Sequence, residues 1–407
     1  MHYYIYSNKS AWISSGSNKV TGITERDQNF GKDEIIEVKK FFYNNSFDFA
    51  TRGLIQFDLT DLTTKVNSGK IPKFSSAHSG SASCFLRLYE AEGNTELSSE
   101  YTLQTFPIST TWDEGVGKFG DSPKVTDGVS WAHRSNKPGA SAVSWLQGDS
   151  STHNGPTVVT QSTSNSHNIS ASIQAFSYES PDINMDVTNT VEQWVAGNLV
   201  NNGFLLKFSG SLSASFSGSQ DIEGDYPNGG AELDNQTFGQ LKFFSNDTNT
   251  IYSPKLEVKW NDMSWHSGST EIGSGSLNEL TMSGATDNYL YMIGLKDSYK
   301  ETETVKFRVG ARKRYIQKTF DTTYQTATAS YVSKHNGSYS ILDVATGETL
   351  VPFSGYTSMS LDSTSNYFVQ DLNGFAPDRV YKILFKVTYN DGQEQIYDDG
   401  FEFKIKR

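Results

Sequence analysis

The residues best suited to chemistry lie between positions 112 and 149, where flat aromatic surfaces alternate with hydrogen-bonding groups. Trp112, Trp131 and Trp145 stand close in sequence to Asp113, Glu114, His133, Arg134, Gln147 and Asp149. An indole face stacks on the apolar side of a sugar ring while carboxylates, amides and a guanidinium bind its hydroxyls, so this set fits a glycan site. The same tryptophans suit a second role equally well. They can cap a hydrophobic core with their polar neighbours solvated, because large aromatic side chains are mostly buried. Asp113 and Glu114 do not read as a glycosidase pair. Neighbours on a strand point to opposite faces, whereas acid and base must flank one bond. No catalytic residue is expected.

A second polar cluster, Asp221, Glu223 and Asp225 followed by Glu232 and Asp234, gathers carboxylates in a Gly-rich stretch. Hard cations such as calcium take oxygen ligands of this kind, but the spacing matches no calcium-loop pattern, and a solvated acidic loop explains it as well. The histidines are scattered without a close metal-ligand pair, and neither a Gly-x-Ser-x-Gly elbow nor a phosphate-binding glycine loop is present. No cofactor is expected beyond the calcium candidate. Cys84 is the one cysteine, so no intrachain disulfide forms. It sits in the strand-like run Ser83 to Tyr89 and reads as a small core residue. Arg312-Lys313-Arg314 follows a strand and reads as a charged edge or turn.

These residues need elements to position them, and the pattern is almost wholly β. Period-two alternation marks Thr51 to Leu59, Ser83 to Tyr89, Gly203 to Phe208, Gln240 to Phe244 and Lys255 to Trp260. One helix is expected over Asp186 to Asn198, with Asp186 or Thr188 as cap, Val191, Trp194 and Val195 on one face, and Gly197 as terminator. At 407 residues the chain suits two or three domains. We place one at 1–260, a Gly/Ser-rich linker at 261–287 and a second at 288–407. The second block holds about seven short alternating runs, with an Asp-Gly hairpin at Asp391-Gly392, and reads as an immunoglobulin-like β-sandwich. The loops at 162–172 and 209–239 read as long surface excursions.

The formal net charge of −12 argues against nucleic acid, which needs clustered Lys and Arg. The N-terminus lacks a secretory pattern, and no apolar run is long enough to span a bilayer, so membrane insertion is not expected.

Residues of about 20–260, taken in order, resemble a DNRLRE-type carbohydrate-binding module. The resemblance rests on Thr21 to Gly31 with its Asn29-Phe30-Gly31 loop, Arg52 to Leu59, Phe85 to Tyr89 and Thr111-Trp112-Asp113-Glu114-Gly115. It continues through Gly128 to Trp131, Trp145 to Asp149, Met185 to Trp194, Asn202 to Lys207, Phe243 to Ser245 and Ser253 to Leu256. The Asn-Arg-Leu-Arg-Glu string itself is missing, which leaves ligand specificity open. The resemblance implies an N-terminal jelly-roll-like β-sandwich. The C-terminal block, with the acidic Ser/Thr-rich β composition and no export signal, is similar to structural proteins of tailed bacteriophages.

Together these resemblances imply a non-enzymatic, tail-associated virion structural protein assembled in the host cytoplasm. Its expected partners are other virion structural proteins, further copies of itself and a host surface polysaccharide. A surface glycan-binding adhesin is the alternative, and a polysaccharide depolymerase the third reading.

Overall fold

The computed structural model describes residues 1–16, 24–43, 46–74, 81–93, 100–145, 155–156, 158–159, 171–177, 182–209, 239–265, 277–283, 287–315, 320, 322 and 329–407. The chain is all-β, as the alternation predicts. Among the described residues the α-helices are two short ones, Thr60–Asn67 and Thr188–Val195. The second is the expected helix. Asp186 accepts the amide of Thr188 at 2.9 Å, Val191 and Trp194 are buried, and Gly197 leaves the helix at φ +74°. A positive φ is the conformation in which glycine closes a helix without strain.

The chain divides into two compact units. One comprises 5–78 and 83–257, the other 1–4, 79–82 and 258–407. The strand His2–Ser14 therefore begins in the second unit and continues in the first.

The first unit is a curled sheet of eleven described strands, whose main path places Ser46–Phe57 between His2–Ser14 and Phe204–Ser209. That central strand is buried on both sides, so its residues do not alternate between core and solvent. Arg52 and Leu54 face one side, Gly53 and Ile55 the other. Gly53 is required by crowding: a Cβ there would stand 2.8 Å from Ile36 Cγ2. Cys84 is buried in the strand Ser83–Leu88.

The second unit is a β-sandwich. One sheet has six described strands, with Thr304–Lys313 paired to Asn288–Ile293 and Asn366–Asp371, and the other has five, with Val380–Thr388 between Gly337–Asp343 and Glu394–Lys406. Phe307 and Phe368 from the first sheet meet Tyr339, Phe385 and Phe403 from the second in one core. The unit has more strands than the seven runs suggest, because Asn278–Glu279, Ser330–Tyr331 and Ser360–Leu361 are too short to show a period. Leu280 and Met282, from the stretch read as linker, are buried in this core.

Candidate functional site

Trp112, Trp131 and Trp145 come together, but facing inward. They are 1%, 1% and 3% exposed, and with Val129, Ile108 and Val158 they cover one face of the curled sheet, packing on Ala11, Ile13, Leu54, Phe106 and Leu205. Trp112 donates its indole N–H to the Asn202 carbonyl at 2.8 Å, and Trp145 donates to the Ser130 carbonyl at 3.0 Å. The Arg52 guanidinium stacks on Trp131 with its carbon 4.3 Å from the ring centroid. None of the three rings is free to take a sugar face. Of the two roles the sequence allows them, the structure shows the cap.

The reason lies in the loops. Asn29 is fully buried; its amide nitrogen donates to the carbonyls of Glu114 and Val129, both at 2.7 Å, and its amide oxygen accepts from the amides of Gly31 and Gly117. The Asn-aromatic-Gly loop is thereby tied to the Trp112-to-Gly115 segment. The approach is too close for side chains: a Cβ on Gly31 would lie 1.9 Å from the Glu114 carbonyl oxygen, and Gly115 adopts φ +87° with Asn29 beside it.

The polar candidates are engaged in the same structure. Glu114 pairs with Lys32 at 2.7 Å and accepts from the Ser10 amide and the Asn246 side chain. Burial pulls the Lys32 ammonium down, but the hydrogen bonds it donates to Glu114 and Asp247 outweigh this and leave its pKa raised. Asp113 accepts from Ser135 at 2.5 Å and pairs with Lys137 at 3.1 Å. Burial pushes its carboxyl up, and these two partners bring it below the usual carboxylate range. Arg134 donates to the Thr111 carbonyl, and the backbone amide of His133 donates to Ser130 Oγ. Gln147, Asp149, Asp221, Glu223 and Asp225 lie outside the described residues.

A different part of the first unit has the shape of a binding site. A cleft of about 610 Å³ opens over the outward faces of Ile35–Tyr43, Ser46–Phe57 and Gly239–Phe244. This is within the size range of small-ligand pockets. Alternation sends Ile36 and Val38 to the core and Glu37 and Lys39 to the cleft, and the antiparallel register sets Gln240 opposite Lys39 and Lys242 opposite Glu37. The rim carries Phe119, 67% exposed, beside Trp12 at a centroid distance of 6.2 Å. Trp12 is itself stacked on Phe30 at 3.7 Å and donates its N–H to Asp33 at 2.8 Å.

Two carboxyls of the cleft have raised pKa values. Burial pushes Asp33 up, only partly offset by the Phe119 amide and the Trp12 indole, and burial likewise pushes Glu37 up against the pull of Lys39 and Lys242. The sequence holds a partial signal for this site in the alternating Glu37-x-Lys39-x-Phe41. The partners from around 118 and 240 carry none.

No family model matches this chain, and no curated protein matches it either. Among solved structures it is similar to the adhesin domain of Epf from Streptococcus pyogenes, at 9% identity and a TM-score of 0.17, over 99% of this chain and 97% of that one. A score that low transfers no property. Among the described residues no helix is long and apolar enough to cross a membrane, and no group of three His, Cys, Asp or Glu is placed to hold a metal ion.

Proposed function

We propose that the chain is a non-enzymatic structural protein of a tailed-phage particle that also recognises glycan on the host surface. The observation that carries the non-enzymatic part is the engagement of Asp113 and Glu114. These two acids, which head the sequence candidates, are held by Ser135, Lys137, Lys32 and Asn246 as braces of the tryptophan layer. Their oxygens are taken up by cations and donors of the layer they brace rather than turned toward an open cleft.

What supports the particle reading is the acidic, Ser/Thr-rich β composition and the two-unit β-sheet build, suited to a repeated subunit that contacts copies of itself and other virion proteins. Mass spectrometry of purified particles tests it: the chain is expected in stoichiometric amounts, and its absence rejects the reading. Recovery on a cell surface with retained glycan binding would favour the adhesin instead. Release of reducing sugar from host polysaccharide, lost in Glu114→Gln, would overturn the non-enzymatic part.

A further inference from the structure

We propose that the cleft floored by Glu37, Lys39 and Gln240 and rimmed by Phe119 and Asp33 is the glycan site of this chain, and that it takes a neutral or amine-bearing sugar rather than an anionic one. This rests on the glycan-recognition part of the preceding proposal and relocates it from the tryptophan loops to a surface that the sequence motifs do not mark.

Three observations carry the assignment. The first is Phe119, a large apolar ring two-thirds exposed on a loop, which burial would ordinarily remove from water. Its backbone is fixed, because the Phe119 amide donates to Asp33 Oδ1 at 2.8 Å while Asp33 Oδ2 accepts the Trp12 indole. A ring held in place on a rigid neighbour loses little conformational freedom on stacking.

The second is the floor. Glu37 and Gln240 are hydrogen-bonded to each other across paired strands, and Lys39 lies 4.8 Å and 5.3 Å above the rings of Phe41 and Phe49. Donors and acceptors therefore stand beside apolar faces, with their side chains carried on strands.

The third is charge. The lining holds Glu25, Asp33, Glu34, Glu37 and Glu92 against Lys39, Lys118 and Lys242, which is five acids to three bases and a net −2. Lys242 is paired with Glu92 and Lys39 with Glu37, so an incoming uronate, sialate or sulfate finds two of its three potential partners already neutralised and the net charge of the lining repulsive. Hydroxyl or ammonium donors instead meet acceptors in the carboxylates of Asp33 and Glu37, whose oxygens keep lone pairs beyond those used by Phe119, Trp12 and Gln240.

The test is isothermal titration of the full chain with cello-oligosaccharides, N-acetylated chito-oligosaccharides, glucosamine oligomers and oligogalacturonate, for wild type, Phe119→Ala, Phe119→Trp and Ile396→Ser, an exposed position of the second unit. Binding of a neutral or glucosamine oligomer is expected, weakened at least tenfold by Phe119→Ala, retained by Phe119→Trp and unchanged by Ile396→Ser. Because Phe119 is exposed, its loss leaves the fold intact, which an unchanged melting curve verifies. Wild-type binding that survives Phe119→Ala would overturn the cleft while leaving glycan recognition standing. Preference for oligogalacturonate would overturn the ligand class. A wild-type chain that binds none of the four fails both this site and the glycan part of the proposed function, whereas its place in the particle is decided separately by mass spectrometry.

Discussion

Asn29 and Glu114 are joined through the backbone, the side-chain amide of the first donating to the carbonyl of the second at 2.7 Å. The bond connects two motifs 85 positions apart and closes the loop layer over the sheet. Asn29→Asp keeps the size of the side chain but removes both donated hydrogens, leaving the Glu114 and Val129 carbonyls buried opposite a carboxylate. We expect a loss of about 2–6 kcal/mol, at roughly 1–3 kcal/mol for each of the two unsatisfied buried carbonyls. Chemical denaturation reads it directly, and a shift under 1 kcal/mol (about half the low end of that range) would show the amide to be dispensable.

Trp131 lies under the guanidinium of Arg52 in the covering layer. Trp131→Ala should lower stability by about 3–5 kcal/mol, the usual cost of emptying a large aromatic site, and Trp131→Phe by clearly less. Neither should change glycan affinity in the folded protein. A folded Trp131→Phe that loses binding would put the ring back in the recognition site.

Glu37 has its folded-state pKa raised by burial, so the ionised form is disfavoured on folding. The linkage then has a definite sign: stability is greatest below the unfolded pKa of about 4.3 and falls as pH rises through the folded value. Glu37→Gln, which keeps an oxygen to accept from Gln240, should therefore raise the melting temperature at pH 7 and lose that advantage below about pH 4. Thermal melts across pH decide it; a variant less stable than wild type at pH 7 would show Glu37 to be compensated.

Asp362 behaves in the opposite way. Burial pushes its carboxyl up, but hydrogen bonds from Arg308 and Lys306 and from the amides of Thr364 and Ser365 outweigh this and hold it far below the usual range. Its contribution is present above the unfolded pKa of about 3.9 and lost as pH falls through the folded value. Asp362→Asn should be destabilised relative to wild type at pH 7, with the gap narrowing in acid. A pH-independent gap would assign the effect to hydrogen-bond geometry alone.

Tyr4 is 3% exposed in the core of the second unit, edge-on to Phe375, and the main chain beside it is held by Gln370, which donates to the His2 carbonyl at 2.9 Å. Tyr4→Ala should destabilise that unit by about 3 kcal/mol although the residue lies more than 250 positions from 258–407 in sequence. Limited proteolysis of the full chain should show new cuts within 258–407. Unchanged protection there would reduce these first residues to a peripheral strand.

Alternation of side chains along a strand is a local property, and so the sequence by itself determined the β class, strands such as Ser83–Leu88 and Lys255–Lys259, and a helix within 186–198, which forms over Thr188–Val195. Asn29, Gly31 and Gly115 entered only through the family resemblance, and their close approach was visible in the tertiary structure alone. Which face of the central strand received a second cover was decided only by tertiary structure, because the tryptophans that supply it come from loops 50 to 90 positions away. Burial of a tryptophan depends on what lies opposite, and no residue type records that. The cleft shows the same limit: Glu37 and Gln240 meet through a strand pairing across 203 positions, and the exposure of Phe119 follows from the bond between its amide and Asp33. Long-range register places these groups together, and register is set by the packing of the whole sheet.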